Sequence, residues 1–274
     1  MNGSVILATR NRPALMVDTV ASLLRCDPRP DEVIVVDQSD RPHPGLFGVR
    51  YLWSESRGLS RANNLGTRAA IHDYLVFTHD DVLVEPDWYG RMMATFLREG
   101  PRTVVTGRVL AAEPESADGF APSLNLSTTP MVYEGRGARD VIWPMNLALH
   151  RSALEKIGGF DERLGPGTPY PAAEDNDLCR RLLEAGCRIV FDPAAVVYHR
   201  AWRPWSEHAS LRYDYGRGQG AFYAKHRDMR RLTGDVAGRL LRMGRSGRTP
   251  REEMAYVRGL LSAAWQWSRQ EGRR

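Results

Sequence analysis

The residues with the greatest chemical capacity stand in two acidic clusters. His79-Asp80-Asp81 ends the apolar run that begins at Tyr74, and Glu174-Asp175-Asn176-Asp177 follows a stretch rich in Gly and Pro. Asp80 and Asp81 repel each other. A divalent cation, held by oxygen ligands and itself holding phosphate oxygens, would relieve that repulsion. His79, Asp80 and Asp81 together offer three potential metal ligands. The alternative is that Asp81 caps a helix over residues 88–98. The second cluster has a similar alternative, because acids at a helix start bind free N–H groups and complement the helix dipole.

Elements must place these clusters. Residues 74–82 are too few for a buried helix and rich in Val, Phe and Tyr, so they read as a buried strand. Residues 4–9 read as a first strand. Pro13 opens a helix, with Leu15, Val20, Leu23 and Leu24 on its buried face. Residues 32–37 form a second strand ending in Asp37, and residues 50–53 a short third. The next helix starts in Gly58-Leu59-Ser60, with Ser60 as its cap. Strand, helix, strand, strand, helix, strand predicts a mostly parallel sheet covered by helices on both faces, an α/β fold. Thr9, Asp37 and Asp81 then lie at strand C-terminal ends, the edge where open α/β sheets bind ligands. A helix over 88–98 and a strand over 103–107 follow. Residues 111–130 form a long polar loop, a candidate lid. Residues 140–149 are mixed strand and turn. A short helix over 151–157 closes at Gly158-Gly159. A proline-stiffened loop over 165–171 leads to the helix that begins at Glu174. Two strands, 188–191 and 195–199, precede a helical tail. There Met254, Val257, Leu260, Leu261, Ala264 and Trp265 form a stripe that reads as core packing.

A chain of 274 residues suits one large domain, or one domain with an appendage. Hydrophobic residues at 42% and charged residues at 26% fit a soluble globular protein. No apolar run reaches membrane-spanning length, and the short run at Val5 lacks a signal peptide's length and cleavage site. Cys26, Cys179 and Cys187 are scattered, without metal spacing, which points to a reducing cytoplasm. Charge is uneven. Residues 200–274 carry 17 Arg/Lys against 7 Asp/Glu, leaving 21 against 26 in the rest. The basic tail either attracts an anionic partner, such as lipid headgroups, or is a solvated helical surface. It lacks the interleaved aromatics and recognition motif of a nucleic-acid binder.

The motifs and their order resemble the family 2 glycosyltransferases, inverting enzymes with the Rossmann-like, nucleotide-binding GT-A fold. The resemblance rests on Thr9-Arg10-Asn11-Arg12 after the first strand, Val35-Val36-Asp37-Gln38-Ser39-Asp40, and Gly58 to Gly66. It continues through His79-Asp80-Asp81, then Gly158-Gly159-Phe160-Asp161-Glu162 followed by Glu174-Asp175 and Arg181-Leu182, and Val197-Tyr198-His199. It implies a GT-A catalytic domain over 1–200 that binds nucleotide sugar and acceptor, with a basic helical extension over 201–274. It also implies transfer of a hexosyl or deoxyhexosyl group from a UDP- or dTDP-sugar to a hydroxyl, assisted by Mn2+ or Mg2+. The acceptor would be a glycan, a lipid-linked species or a small molecule. Peripheral contact with an anionic membrane and no nucleic-acid partner complete the expectation.

Roles follow by position. Asp37 resembles the acid that contacts the nucleotide base, with Thr9 and Arg12 alongside. Arg61 lies where nucleotide and sugar contacts cluster. Asp81 resembles the metal ligand, and Asp80 the neighbour that touches ribose or donor sugar. Asp175 resembles the general base, with Glu174 positioning, and His199 resembles a histidine that completes the metal shell in some members. Inverting transfer needs a neutralised diphosphate leaving group and a base on the opposite side of the anomeric carbon. Two separated acidic clusters meet that need. Two departures stand out: His79 replaces the usual first Asp of the metal motif, and Asn63 stands where many relatives have Arg. A nucleotidyltransferase on a related fold would begin with a Gly-rich phosphate loop, which residues 9–13 lack. A catalytically inactive binding module would have lost a motif carboxylate, yet Asp81 and Asp175 are both present. Asp161 and Glu162 read as turn and cap residues, and Trp143 as either a sugar-stacking or a core residue.

Overall fold

A computed structural model describes residues 2–113, 118–135, 141–200, 202–243 and 249–271. Part of the polar loop, residues 114–117, and Asp140 lie outside the described residues. The first elements are β1 (Gly3–Thr9), α1 (Pro13–Leu24), β2 (Glu32–Asp37), β3 (Arg50–Trp53), α2 (Leu59–Ala69), β4 (Tyr74–His79) and β5 (Val82–Val84). They are followed by α3 (Trp88–Glu99), β6 (Thr103–Ala111), β7 (Met131–Tyr133), β8 (Leu147–His150), α4 (Arg151–Lys156), α5 (Glu174–Glu184) and β9 (Arg188–His199). Helices α6 (His208–Lys225), α7 (Met229–Arg242) and α8 (Pro250–Glu271) close the chain.

Among the described residues one sheet runs β3-β2-β1-β4-β8-β6-β9-β5, with β7 beside β9. The expected parallel order holds over β3, β2, β1 and β4. Beyond β4 the pairing is mixed: β8 is antiparallel to β4 and β6, and β9 is parallel to β6. The reason lies at the acidic cluster. Only Asp80 and Asp81 separate β4 from β5, too few residues for a parallel crossover. The chain leaves the sheet's centre, and β5 pairs antiparallel with the end of β9, setting Val82 opposite His199.

Several expectations need correction. Residues 188–199 form one strand, not two. Its register against β6 shifts between Gly107 and Arg108. Asn146 holds the irregularity by donating to the carbonyls of Arg108 and Ala195 at 2.9 Å each, while Trp88 Nε1 donates to Asn146 at 2.8 Å. Ser60 does not cap α2. Gly58 takes the cap position, and the Ser60 hydroxyl donates to the Leu164 carbonyl at 2.8 Å. Helix α3 starts after Asp87, so Asp81 is not its cap.

Apolar residues fill both faces of the sheet. Met16, Val20, Leu23, Trp88, Met92 and Phe96 pack with β1 and β4 on one side, with Trp143 partly buried against them. Ala62, Leu154, Leu178 and Leu182 pack on the other. Gly66 lets α2 approach β1, since a Cβ there would overlap the Ile6 side chain.

The C-terminal helices join this body. Gly216 and Gly220 of α6, and Gly259 of α8, face carbonyls of the opposite helix, where a side chain would not fit. Lys225, the last residue of α6, and His226, its C-cap, reach the fully buried Asp177 of α5, at 2.6 and 2.8 Å. Asp161 is a turn residue, as expected, its Oδ1 accepting from the Arg163 amide at 3.0 Å, and it also binds Lys225; Glu162 is instead bound by Arg61 and Asn64 of α2 and not by a local N–H. The expected α8 stripe divides: Val257, Leu260 and Ala264 are buried, but Met254, Leu261 and Trp265 are exposed.

Candidate active site

The first acidic cluster sits where β1 and β4 end side by side. Thr9 Oγ1 donates to Asp80 Oδ2 at 2.8 Å. Pro13 starts α1 directly after Arg12, and Arg12 bridges both acids, at 3.2 Å to Asp80 and 2.9 Å to Asp81. Thr19 of α1 donates to the carbonyls of Asp80 and Val82, at 2.8 and 2.7 Å. The β5–β9 pairing brings in His199 from far along the sequence. Its Nε2 lies 3.5 Å from Asp81 Oδ1, and its Nδ1 lies 3.1 Å from the Pro122 carbonyl oxygen. Both acids and His199 are buried.

Burial and the Asp81 charge push the Asp80 carboxyl up to about 6, against the pull of Arg12 and Thr9. Burial opposes the charge on Asp81 too, but His199, His79 and Arg12 outweigh it and hold Asp81 well below the ordinary range. Burial, aided by His199 and Arg12, drives His79 down to about 4 despite Asp81, so its imidazole is neutral at pH 7.

Among the described residues, no three His, Cys, Asp or Glu side chains are arranged as a ready metal cage. The donor chemistry nevertheless fits a divalent cation. Asp81 Oδ1 and His79 Nε2 are buried without a hydrogen-bond partner, and the 3.5 Å contact with His199 is too long to count as one. One carboxylate oxygen and two imidazole nitrogens form a borderline-soft set.

Asp37 lies beside Thr9 in the β1–β2 register. It is already engaged: Ser39 N donates to one oxygen at 2.8 Å, and the Tyr51 hydroxyl to the other at 2.6 Å. Tyr51 was not singled out by the sequence, because a tyrosine in a short strand carries no local mark of its partner. Arg61 stands apart from the cluster, paired to Glu162 at 2.9 Å. Asn63 is 1% exposed on the buried side of α2, and its Oδ1 has no hydrogen-bond partner among the described residues.

The second cluster opens α5. Ala173 precedes it in the left-handed conformation, φ 66, with no side-chain cap. Glu174 is buried, and burial together with the Asp175 charge raises it above the usual glutamate range. Asp175 Oδ1 accepts from the Asn176 amide at 2.8 Å, so the acid does bind a first-turn N–H. The preceding loop is pinned to α2 by Leu59 N to Pro166 O at 3.0 Å and by Ser60 to Leu164. Gly58 N in turn donates to Gln38 Oε1 at 3.1 Å, next to Asp37. The described contacts thus unite Thr9, Arg12, Asp80, Asp81 and His199, with His79 beside them at the end of β4. They link Asp37, Glu174 and Asp175 to the group through loops, and leave Arg61 outside.

This sheet order, with acids at its C-terminal edge, defines a GT-A type fold. The Glycosyl transferase family 2 model matches residues 4–158, and the chain belongs to that family. It is 27% identical over 187 residues to a pre-mycofactocin glycosyltransferase of Mycobacterium tuberculosis, covering 63% of this chain and 36% of that protein. It is 31% identical over 239 residues to a hyaluronan synthase of Pasteurella multocida, covering 72% of this chain and 24% of that one. The chain therefore spans between a quarter and about a third of these curated relatives. Among solved structures, S. aureus TarS 1–349 in complex with UDP-GlcNAc superposes with TM-score 0.61 at 16% identity, covering 99% of this chain and 75% of that one. The mannosyltransferase PcManGT of Pyrobaculum calidifontis, in complex with GDP-Man and Mn2+, gives 0.56 at 18% identity, covering 97% and 72%.

A carboxyl held at about 6 makes folding less favourable as pH climbs from about 4 to about 6, because the unfolded chain ionises more easily. Asp80→Asn should therefore raise the unfolding free energy at pH 7 by on the order of 2 kcal/mol, read as a higher urea midpoint. The gain should fade toward pH 4, where Asp80 is already neutral. A gain of equal size at both pH values would contradict the assigned ionisation.

Proposed function

We propose that the protein is an inverting glycosyltransferase that moves a sugar from a nucleoside-diphosphate donor to an acceptor hydroxyl. The observation that carries this reading is the buried Asp80–Asp81 pair, compensated by Arg12 and His199 at the sheet's C-terminal edge. UDP or dTDP is the proposed nucleotide class, with a hexosyl or deoxyhexosyl group transferred. Asp37 can only accept hydrogen bonds, and a uracil or thymine ring offers one N–H. Solved neighbours were determined with UDP, UDP-GlcNAc and GDP-Man.

Asp81, His199 and His79 would hold the divalent cation, Mn2+ in preference to Mg2+ given the imidazoles. When bound, such a cation neutralises the diphosphate and makes it a better leaving group. Arg12 and Thr9 hold the two carboxylates in place, and Asp80 faces ribose or donor sugar. Asp175 takes the proton from the acceptor hydroxyl. The acceptor oxygen forms its bond to the anomeric carbon as the bond from that carbon to the phosphate oxygen breaks, and the electron pair leaves with the nucleoside diphosphate. Glu174, raised toward its neutral form, positions the base without competing for the proton. Arg61, held by Glu162 in a half-exposed pair, reaches the nucleotide or donor sugar by leaving that pair.

The acceptor is a hydroxyl on a glycan, a lipid-linked species or a small molecule, and the enzyme works in the cytoplasm, with its three cysteines buried as thiols. Among the described residues no helix is long and apolar enough to cross a membrane. Peripheral contact has a specific face: Met254, Leu261 and Trp265 are exposed on α8, with Arg251, Arg258 and Arg269 on the same side. Apolar and cationic groups interleaved on one helix face suit an anionic bilayer surface. In liposome flotation at low salt the protein should float with anionic vesicles and much less with neutral ones. Equal recovery with both would remove the electrostatic contact.

Asp175→Asn tests the mechanism. Asn is nearly isosteric and still binds the first-turn amide, so stability should change by no more than about 1 kcal/mol. It accepts no proton, and transfer should fall by roughly 10²–10⁴-fold. Glu174→Gln should cost less. Nucleoside diphosphate release from a panel of UDP-, dTDP- and GDP-sugars, with melting curves, separates this from a purely structural pair. Near-wild-type turnover in Asp175→Asn would end the base assignment.

A further inference from the structure

Residues 120–125 form a strap anchored at both ends. Phe120 exchanges backbone hydrogen bonds with Arg203, at 2.9 and 3.0 Å, and its ring packs on Trp205 and His208 with centroids 4.9 and 4.8 Å away. Asn125 exchanges backbone hydrogen bonds with Val109, at 2.9 and 3.1 Å. Between the anchors the strap meets His199, which belongs to the first acidic cluster, and Tyr215 of α6. The Pro122 carbonyl meets His199, the partner of Asp81. Ser123 adopts the left-handed conformation, φ 59, which disfavours a serine. That turn sets its hydroxyl 3.3 Å from the Tyr215 hydroxyl of α6.

Tyr215 belongs to the surface of α6 that lies on the head of α5. A Cβ at Gly218 would overlap Ala172, and Gln219 accepts from Asn176 at 3.0 Å. The charges of Asp175 and Glu174 both act on the Tyr215 phenol. The extension therefore brings the half-buried Tyr215 into the field of the acidic pair and joins its hydroxyl to the strap at an exposed contact.

We propose that Tyr215 is a positioning residue that clamps the strap through Ser123 beside Glu174 and Asp175, so that the acceptor hydroxyl and not bulk water reaches the base. The inference rests on the proposed role of Asp175 as that base. A clamp of this kind explains why the helices beyond residue 200 pack so closely on the sheet domain: they complete the acceptor side of its site. It also gives the strained Ser123 a purpose, since a relaxed backbone would turn its hydroxyl elsewhere.

Two readouts test it on the whole chain. Tyr215→Phe, Ser123→Ala and the double variant are compared with wild type by hydrogen exchange over residues 120–125. They are also compared by acceptor-free release of nucleoside diphosphate from UDP-N-acetylglucosamine, UDP-glucose or GDP-mannose, whichever the wild type turns over fastest. Each single variant should exchange about tenfold faster in the strap, and the double no faster than either single. Hydrolysis should rise several-fold, with UDP affinity and melting temperature near wild type. Unchanged strap exchange, or additive effects in the double, would overturn the clamp. An active wild type whose hydrolysis is unchanged in Tyr215→Phe would overturn the exclusion of water. Faster strap exchange with no diphosphate release by wild type from any donor would count against the proposed function and leave the clamp standing.

Discussion

Two adjacent carboxylates buried at the end of one strand cannot both ionise without help. At a separation of about 4 Å and an effective dielectric of about 20, their repulsion alone is on the order of 4 kcal/mol, before the cost of removing them from water. The surrounding structure answers that constraint. Pro13 fixes the start of α1 so that Arg12 reaches both acids. Thr9 binds one of them from the neighbouring strand. The short β5 returns to pair with β9 and delivers His199. A protein built only for stability would place apolar side chains here. The charge that remains, with unsatisfied atoms on Asp81 and His79, is what a cation–diphosphate pair would satisfy.

The Glu174–Asp175 cluster follows the same logic with different parts. Glu174 and Asp175 are also adjacent, and burial together with the Asp175 charge holds Glu174 toward its neutral form. One turn along α5, Asp177 is buried as well. Burial works against its charge, yet His226, Arg181 and Lys225 prevail and keep it ionised. Two of those three groups, Lys225 and His226, come from the C-terminal end of α6 and its cap. The basic C-terminal region is thus partly a counter-charge for the acidic sheet domain, so the charge asymmetry along the chain is in part an internal complementarity.

The parallel half of the sheet and the acids at its edge were legible because β1, β2 and β4 each carry their own apolar run, with Asp37 ending β2 and Asp80-Asp81 directly following β4. The mixed half was not. Pairing of β8 between β4 and β6 depends on contacts between distant segments, and no local pattern encodes which edge a strand joins. His199 was found through resemblance; the β5–β9 register supplies the physical reason for its place. Tyr51, Asn146 and Tyr215 were missed for a common reason: each works through a partner remote in sequence, from an element that reads as ordinary strand, turn or helix. The α8 stripe was read as a single face because Leu260 and Leu261, like Ala264 and Trp265, are neighbours in sequence. In the structure they point to different surroundings.

The claim on which the account turns is that the Asp80–Asp81 edge is a cation-dependent diphosphate site. Titration calorimetry of UDP into wild type and Asp81→Ala, each with and without Mn2+, tests it most directly. The account predicts that Mn2+ strengthens UDP binding to the wild type and that Asp81→Ala loses that increment. A mutant that keeps the full Mn2+ dependence would contradict the site.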